Sequence, residues 1–85
     1  MVSTRRNRLV VYHAPGCALC EPALATVAEV AAELGIEYDV VDVTGVPELE
    51  ALHREWLPVV EVDGVRAFTY FVQRDALRER LGGAG

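Results

Sequence analysis

Two cysteines stand three residues apart in the stretch HAPGCALCEP, residues 13–22. Thiols at this spacing have three ordinary uses: a pair cycling between dithiol and disulfide, half of a four-ligand metal site, or two buried apolar side chains. Which of these applies to Cys17 and Cys20 depends on the elements that carry them. His13, four residues ahead of Cys17, could assist thiolate formation as an imidazolium, although a histidine at a strand end is more often a partly exposed loop residue. His53 reads as a surface residue. Trp56 could border a site, but its plainer reading is an aromatic closing the core beneath a short helix.

This chemistry sits in a chain of 85 residues, 52% hydrophobic, with a formal net charge of −5. That composition supports one packed core and is too apolar for a disordered chain, at a length near the lower limit for an independent domain. One domain over residues 1–85 is expected, with 1–7 and 82–85 flexible and the chain a monomer. The negative charge argues against nucleic acid, which needs clustered positive charge. No stretch approaches the roughly 18 apolar residues of a membrane span. The apolar run after Arg8 is too short for a secretory signal. All eight basic residues are arginine, and Arg5, Arg6 and Arg8 read as a solvated lead-in to a strand. Two cysteines and no signal peptide point to a reducing, cytoplasmic setting.

The elements that must position the cysteines follow from periodicity. RLVVY (8–12), stopped by Pro15 and Gly16, reads as a strand. From about Ala18 to Leu34 the spacing of Leu19, Ala23, Val27, Val30 and Leu34 predicts an amphipathic helix, with Gly35 at its C-terminal cap. IEYDVVDV (36–43) predicts a second strand. VPELEALHREW (46–56) predicts a helix, with Pro47 at its first position. PVVEVDGVRAFTYF (58–71) predicts a hairpin turning at Asp63-Gly64. QRDALRERL (73–81) predicts a short closing helix with Ala76, Leu77 and Leu81 inward. The order is β-α-β-α-β-β-α: an α/β fold with one mixed four-stranded sheet and helices on its faces.

Cys17 therefore falls at a strand-to-helix turn, near the N–H groups and positive dipole end that lower a thiol's pKa. Cys20 lies about one turn further in, on the same side, shielded by Leu24 and close enough to close a disulfide. Glu21 opposes the dipole by repelling a thiolate. Pro22 lacks the N–H that would bond Ala18, so the first turn should be irregular. This placement favours the redox use.

With VVYHAPGCALC after the first strand and LPVVEVDG opening the hairpin, the chain resembles the thioredoxin superfamily, and within it the small glutaredoxin-like proteins. The resemblance covers nearly the whole chain. It implies a thiol–disulfide oxidoreductase in which Cys17 is the exposed nucleophile and Cys20 resolves the mixed disulfide. It also implies a cis-proline at Pro58, with Leu57, Pro58, Pro15 and Gly16 bordering the substrate. The implied partners are a disulfide-bearing protein or a small disulfide, and a reductase or thiol reductant. No resident cofactor is implied. The chain departs from glutathione-using members: Ala18-Leu19 replaces Pro-Tyr between the cysteines, and FTYFVQRD stands where paired glycines would be. Glutathione as reductant is therefore expected to turn over weakly. The alternative is a metal or iron–sulfur binding module through the cysteine pair, which would need ligands beyond two separated histidines.

Overall fold

The computed structural model describes residues 8–83, so the sequence expectations for residues 1–7, 84 and 85 lie outside the described residues. The elements follow the expected order: β1 (Leu9–His13), α1 (Cys20–Leu34), β2 (Tyr38–Asp42), α2 (Pro47–His53), β3 (Val59–Val62), β4 (Val65–Thr69) and α3 (Arg74–Arg78). A 3₁₀ turn at Arg54–Trp56 continues α2, and a wider turn at Glu79–Gly83 continues α3. Gly82 and Gly83, expected to fray, lie in that last turn.

The sheet order is β2-β1-β3-β4. β1 and β2 run parallel across the α1 connection, while β1–β3 and β3–β4 are antiparallel. The two central strands explain the near-continuous apolar runs LVVYH and VVEV: both of their faces are covered. Alternation along β1 divides the core. Leu9 and Val11 join Val60, Val62, Val27, Val30 and Leu77 under α1 and α3. Val10 and Tyr12 join Val59 and Val43 on the opposite face, with Leu49 and Leu57 packed against them. Helices thus cover both faces, and β1 delivers the chain to the cysteine turn from the middle of the sheet. No helix among the described residues is long and apolar enough to cross a membrane.

Three local expectations need correction. The helix predicted from Ala18 starts at Cys20. A proline ring clashes with the carbonyl four residues back, so Pro22 is tolerated only in a first turn, and the helix begins where that condition is met. Its first backbone bond of helical spacing runs from Ala23 N–H to Leu19 O at 3.4 Å. Arg8 is not merely solvated: Nε and Nη2 donate to the two carboxylate oxygens of Asp63 at 2.8 and 3.0 Å, and Nη1 donates to Leu81 O at 3.0 Å. It ties the start of β1 to the hairpin turn and to the chain's last turn.

The third correction exchanges two aromatic residues. His53, expected on the surface, is buried at 5% exposure, whereas Trp56, expected in the core, is 41% exposed. On α2 the inward stripe passes through Leu49 and reaches His53 four residues on. His53 itself has φ −122° and ψ −14°, off helical values, so the 3₁₀ turn after it starts on a new course and Trp56 does not continue the stripe. The His53 ring stacks on Tyr12, centroids 4.1 Å apart and planes 19° from parallel. Its Nδ1 lies 3.3 Å from Arg66 Nη2, an arrangement suited to a neutral ring accepting from the guanidinium.

Candidate active site

β1 ends at His13, and the turn that follows exposes Pro15 and Gly16 and leaves Cys17 part-buried. Gly16 has a φ of 79°, in the left-handed region where an L side chain is strained. That reversal lets the chain leave the strand and present Cys17 before the helix begins. Cys20 N–H donates to Cys17 O at 3.1 Å, folding the two cysteines into one tight turn. Cys20 is the first residue of α1 and is 3% exposed. The two sulfurs are joined as a disulfide, with Cα atoms 5.3 Å apart, inside the range a disulfide requires.

The helix start differs from the expected arrangement in its electrostatics. Of the first four N–H groups of α1, Cys20's is taken by Cys17 O, Pro22 has none and Ala23's is taken by Leu19 O. Among the described residues this leaves the Glu21 N–H to favour charge near Cys17, beside the Glu21 carboxylate that opposes it. The start of α1 therefore offers fewer free N–H groups beside Cys17 than the sequence suggests.

Two clefts meet at Cys17. One, of about 490 Å³, has both cysteines, His13, Glu21 and Leu24 in its walls. The other, of about 380 Å³, joins Cys17 to Leu57, Thr44, Glu50 and Arg54. Pro15 and Gly16 border both. The structure thus brings Cys17, Cys20, Pro15, Gly16 and His13 together on one side, and Cys17 with Leu57 on the other. Pro58 follows Leu57 directly in the chain. Its side chain is fully buried, and it lines neither cleft. The Leu57–Pro58 bond is cis. Trp56 lines neither cleft, its ring lying 6.0 Å from that of Tyr70 and beneath the Arg66 guanidinium.

The polar rim of the second cleft was not singled out from the sequence. Glu50 Oε2 accepts the Gly45 N–H at 3.2 Å, and Glu50 Oε1 lies 3.6 Å from Arg54 Nη1. The signal was available: Glu50 and Arg54 are four apart on one helix, a spacing that aligns them on one face. What the sequence lacked was the knowledge that this face looks toward Cys17. Near the same rim, the Asp42 carboxyl is held below its ordinary range, chiefly by the backbone N–H of Thr44 and then by the Thr44 side chain. Oδ1 accepts that N–H at 2.8 Å. Among the described residues no group of three His, Cys, Asp or Glu side chains is placed to hold a metal ion.

The comparisons with known proteins agree with this geometry. Residues 8–82 match the family described as Glutaredoxin-like domain (DUF836). The solution structure of protein Ne2328 from Nitrosomonas europaea is similar, with a TM-score of 0.72, 26% identity, and coverage of 96% of this chain and 99% of that one. Thioredoxin from Fasciola hepatica has a TM-score of 0.63 at 24% identity, over 94% of this chain and 82% of that one. An arsenical resistance operon trans-acting repressor from Bacteroides vulgatus has a TM-score of 0.58 at 15% identity, over 98% of both chains. The last two likenesses bear on the fold alone. Among curated proteins none matches.

Proposed function

The chain belongs to the glutaredoxin-like (DUF836) family, and from that premise we propose that it is a thiol–disulfide oxidoreductase working through Cys17 and Cys20. The observation that carries this reading is the inequality of two identical side chains within bonding distance: Cys17 on an accessible turn, Cys20 buried at the helix start.

In the dithiol form, the Cys17 thiolate attacks one sulfur of a substrate disulfide. A Cys17–substrate bond forms, the substrate S–S bond breaks, and the second substrate sulfur leaves as a thiolate that takes up a proton. Cys20, deprotonated in turn, attacks the Cys17 sulfur and expels the remaining substrate thiolate. The substrate gains two electrons, the cysteine pair loses two, and an external dithiol or reductase returns the pair to its reduced form. His13 stands in the wall of the cleft that holds both sulfurs. Pro15, Gly16 and Leu57 border the substrate, and Pro58, buried beneath, sets where Leu57 stands. The partners are a protein or small-molecule disulfide and a thiol or flavoenzyme reductant, with the cytoplasm as the setting and the monomer as the working unit. FTYFVQRD at the place of the paired glycines supports weak turnover with glutathione.

A single-turnover experiment tests the reading without assuming an electron donor. The reduced protein, mixed with a protein disulfide, should form the Cys17–Cys20 disulfide while reducing one substrate disulfide per chain. Oxidation no faster than that of a free dithiol at equal concentration would overturn the proposal. Efficient reduction driven by glutathione would overturn only the part concerning glutathione.

A further inference from the structure

Tyr70 has a φ of 67°, a conformation seldom adopted by a bulky side chain. The Phe71 N–H donates to Thr69 O across it at 2.7 Å. A three-residue turn around a residue of positive φ is the rare and strained form of that turn. Asp63, which also has positive φ, is explained by the hairpin turn it occupies. Tyr70 lies just past the end of β4, where no such turn chemistry accounts for it. Backbone strain of this kind persists where surrounding contacts over-determine it, and it collects at functional sites.

The contacts of Tyr70 converge on one segment. Its N–H donates to Pro58 O at 3.1 Å. Its phenolic O–H donates to Glu55 O at 2.9 Å. Its ring lies against that of Trp56, centroids 6.0 Å apart. One residue therefore grips both ends and the middle of Glu55–Pro58, and the remaining member, Leu57, is the one that lines the cleft with Cys17. We propose that Tyr70 is a positioning residue, a strained clamp that holds Glu55–Pro58 so that Leu57 forms a fixed wall for a protein disulfide beside Cys17. The role of the wall rests on the proposed thiol–disulfide exchange; the clamp itself does not.

Two variants and two readouts test this. Tyr70→Phe removes only the hydrogen bond to Glu55 O. Tyr70→Gly keeps the backbone donor, relieves the strained turn and removes both ring and hydroxyl. KM for a protein disulfide should rise roughly three- to tenfold in Tyr70→Phe, the range expected for one lost hydrogen bond, and further in Tyr70→Gly. The kcat values and the rates with a small disulfide such as bis(2-hydroxyethyl) disulfide should stay unchanged. Unchanged KM in both variants of an active protein would overturn the clamp. The second readout does not need activity: Trp56 is the only tryptophan in the chain, so its quenching by acrylamide reports the segment directly. Quenching should increase in both variants, most in Tyr70→Gly. Unchanged quenching in Tyr70→Gly would overturn the clamp even if the protein reduced no disulfide, an outcome that would separately overturn the proposed function.

Discussion

Replacing Gly16 with alanine perturbs the turn that presents Cys17 and nothing else. A Cβ at this position would meet no atom within 4 Å, so no steric clash contributes, and only the φ of 79° opposes the side chain. Holding an alanine in the left-handed region costs about 1–2 kcal/mol. The lower entropy of the unfolded variant returns about 0.4–1 kcal/mol of this. The net loss of about 1 kcal/mol should lower Tm by roughly 4–8 °C in a domain of this size. Gly35 provides the control: φ is 69°, the space around its Cβ is equally open, and it caps α1 with its N–H on Ala31 O and Ala32 O. A helix of this length places it roughly 20 Å from the cysteines. Gly16→Ala and Gly35→Ala should therefore lose similar stability in thermal or urea denaturation. Their chemistry should differ. A turn that relaxes around the added methyl group displaces the Cys17 sulfur, and misplacement of a reacting atom by about 1 Å can slow attack by up to roughly a hundredfold. Stopped-flow measurement of the reduced proteins with a disulfide substrate should show slow attack for Gly16→Ala and the wild-type rate for Gly35→Ala. Equal slowing in both, or wild-type stability and rate in Gly16→Ala, would refute the reasoning.

Leu77 on α3 is fully buried against Val27 and Val30, and Leu77→Ala should cost about 2–5 kcal/mol in urea denaturation. Leu52→Ala, at a position 59% exposed, should change stability by less than about 0.5 kcal/mol. Burial first, and then the Arg66 charge, hold His53 below its ordinary pKa of 6.5 against the opposing pull of Glu61. The unfolded chain therefore takes up this proton before the folded one does, and stability should fall as pH drops from about 6.5 toward the lowered folded value. His53→Phe, which keeps a ring against Tyr12, should lose that part of the slope in denaturation midpoints measured between about pH 7.5 and pH 5; a slope retained in the variant would contradict the assignment.

The strands and the order of elements were legible because each apolar run has one dominant period and a clear stop, as with RLVVY before Pro15. The start of α1 was legible only in part. Pro22 signalled an irregular first turn, but the outcome was a later start, since the ring's clash forbids the preceding turn rather than distorting it. His53 lies four residues after Leu49 on the regular inward stripe, but a polar ring does not read as part of an apolar stripe; Trp56 was misplaced because the backbone leaves helical values at His53, and no side-chain pattern marks that break. The cysteine pair could be found from local sequence. The Glu50–Arg54 pair could be read from its four-residue spacing but not its place beside Cys17, and the Tyr70 contacts could not be read, because both placements depend on which residues the sheet order β2-β1-β3-β4 brings beside Leu57. Arg8 belongs with them: its partners Asp63 and Leu81 lie 55 and 73 residues away.

Trapping the exchange intermediate tests the assignment of unequal roles to the two cysteines. Each variant, Cys17→Ser and Cys20→Ser, is exposed in reduced form to an oxidised thiol substrate, and the intact mass is read. Cys20→Ser should accumulate one substrate per chain through Cys17, because no second thiol remains to release it intramolecularly. Cys17→Ser should carry no adduct, because Cys20 is only 3% exposed at the start of α1. An adduct on neither variant, or to an equal extent on both, would contradict Cys17 as the nucleophile and the dithiol mechanism with it.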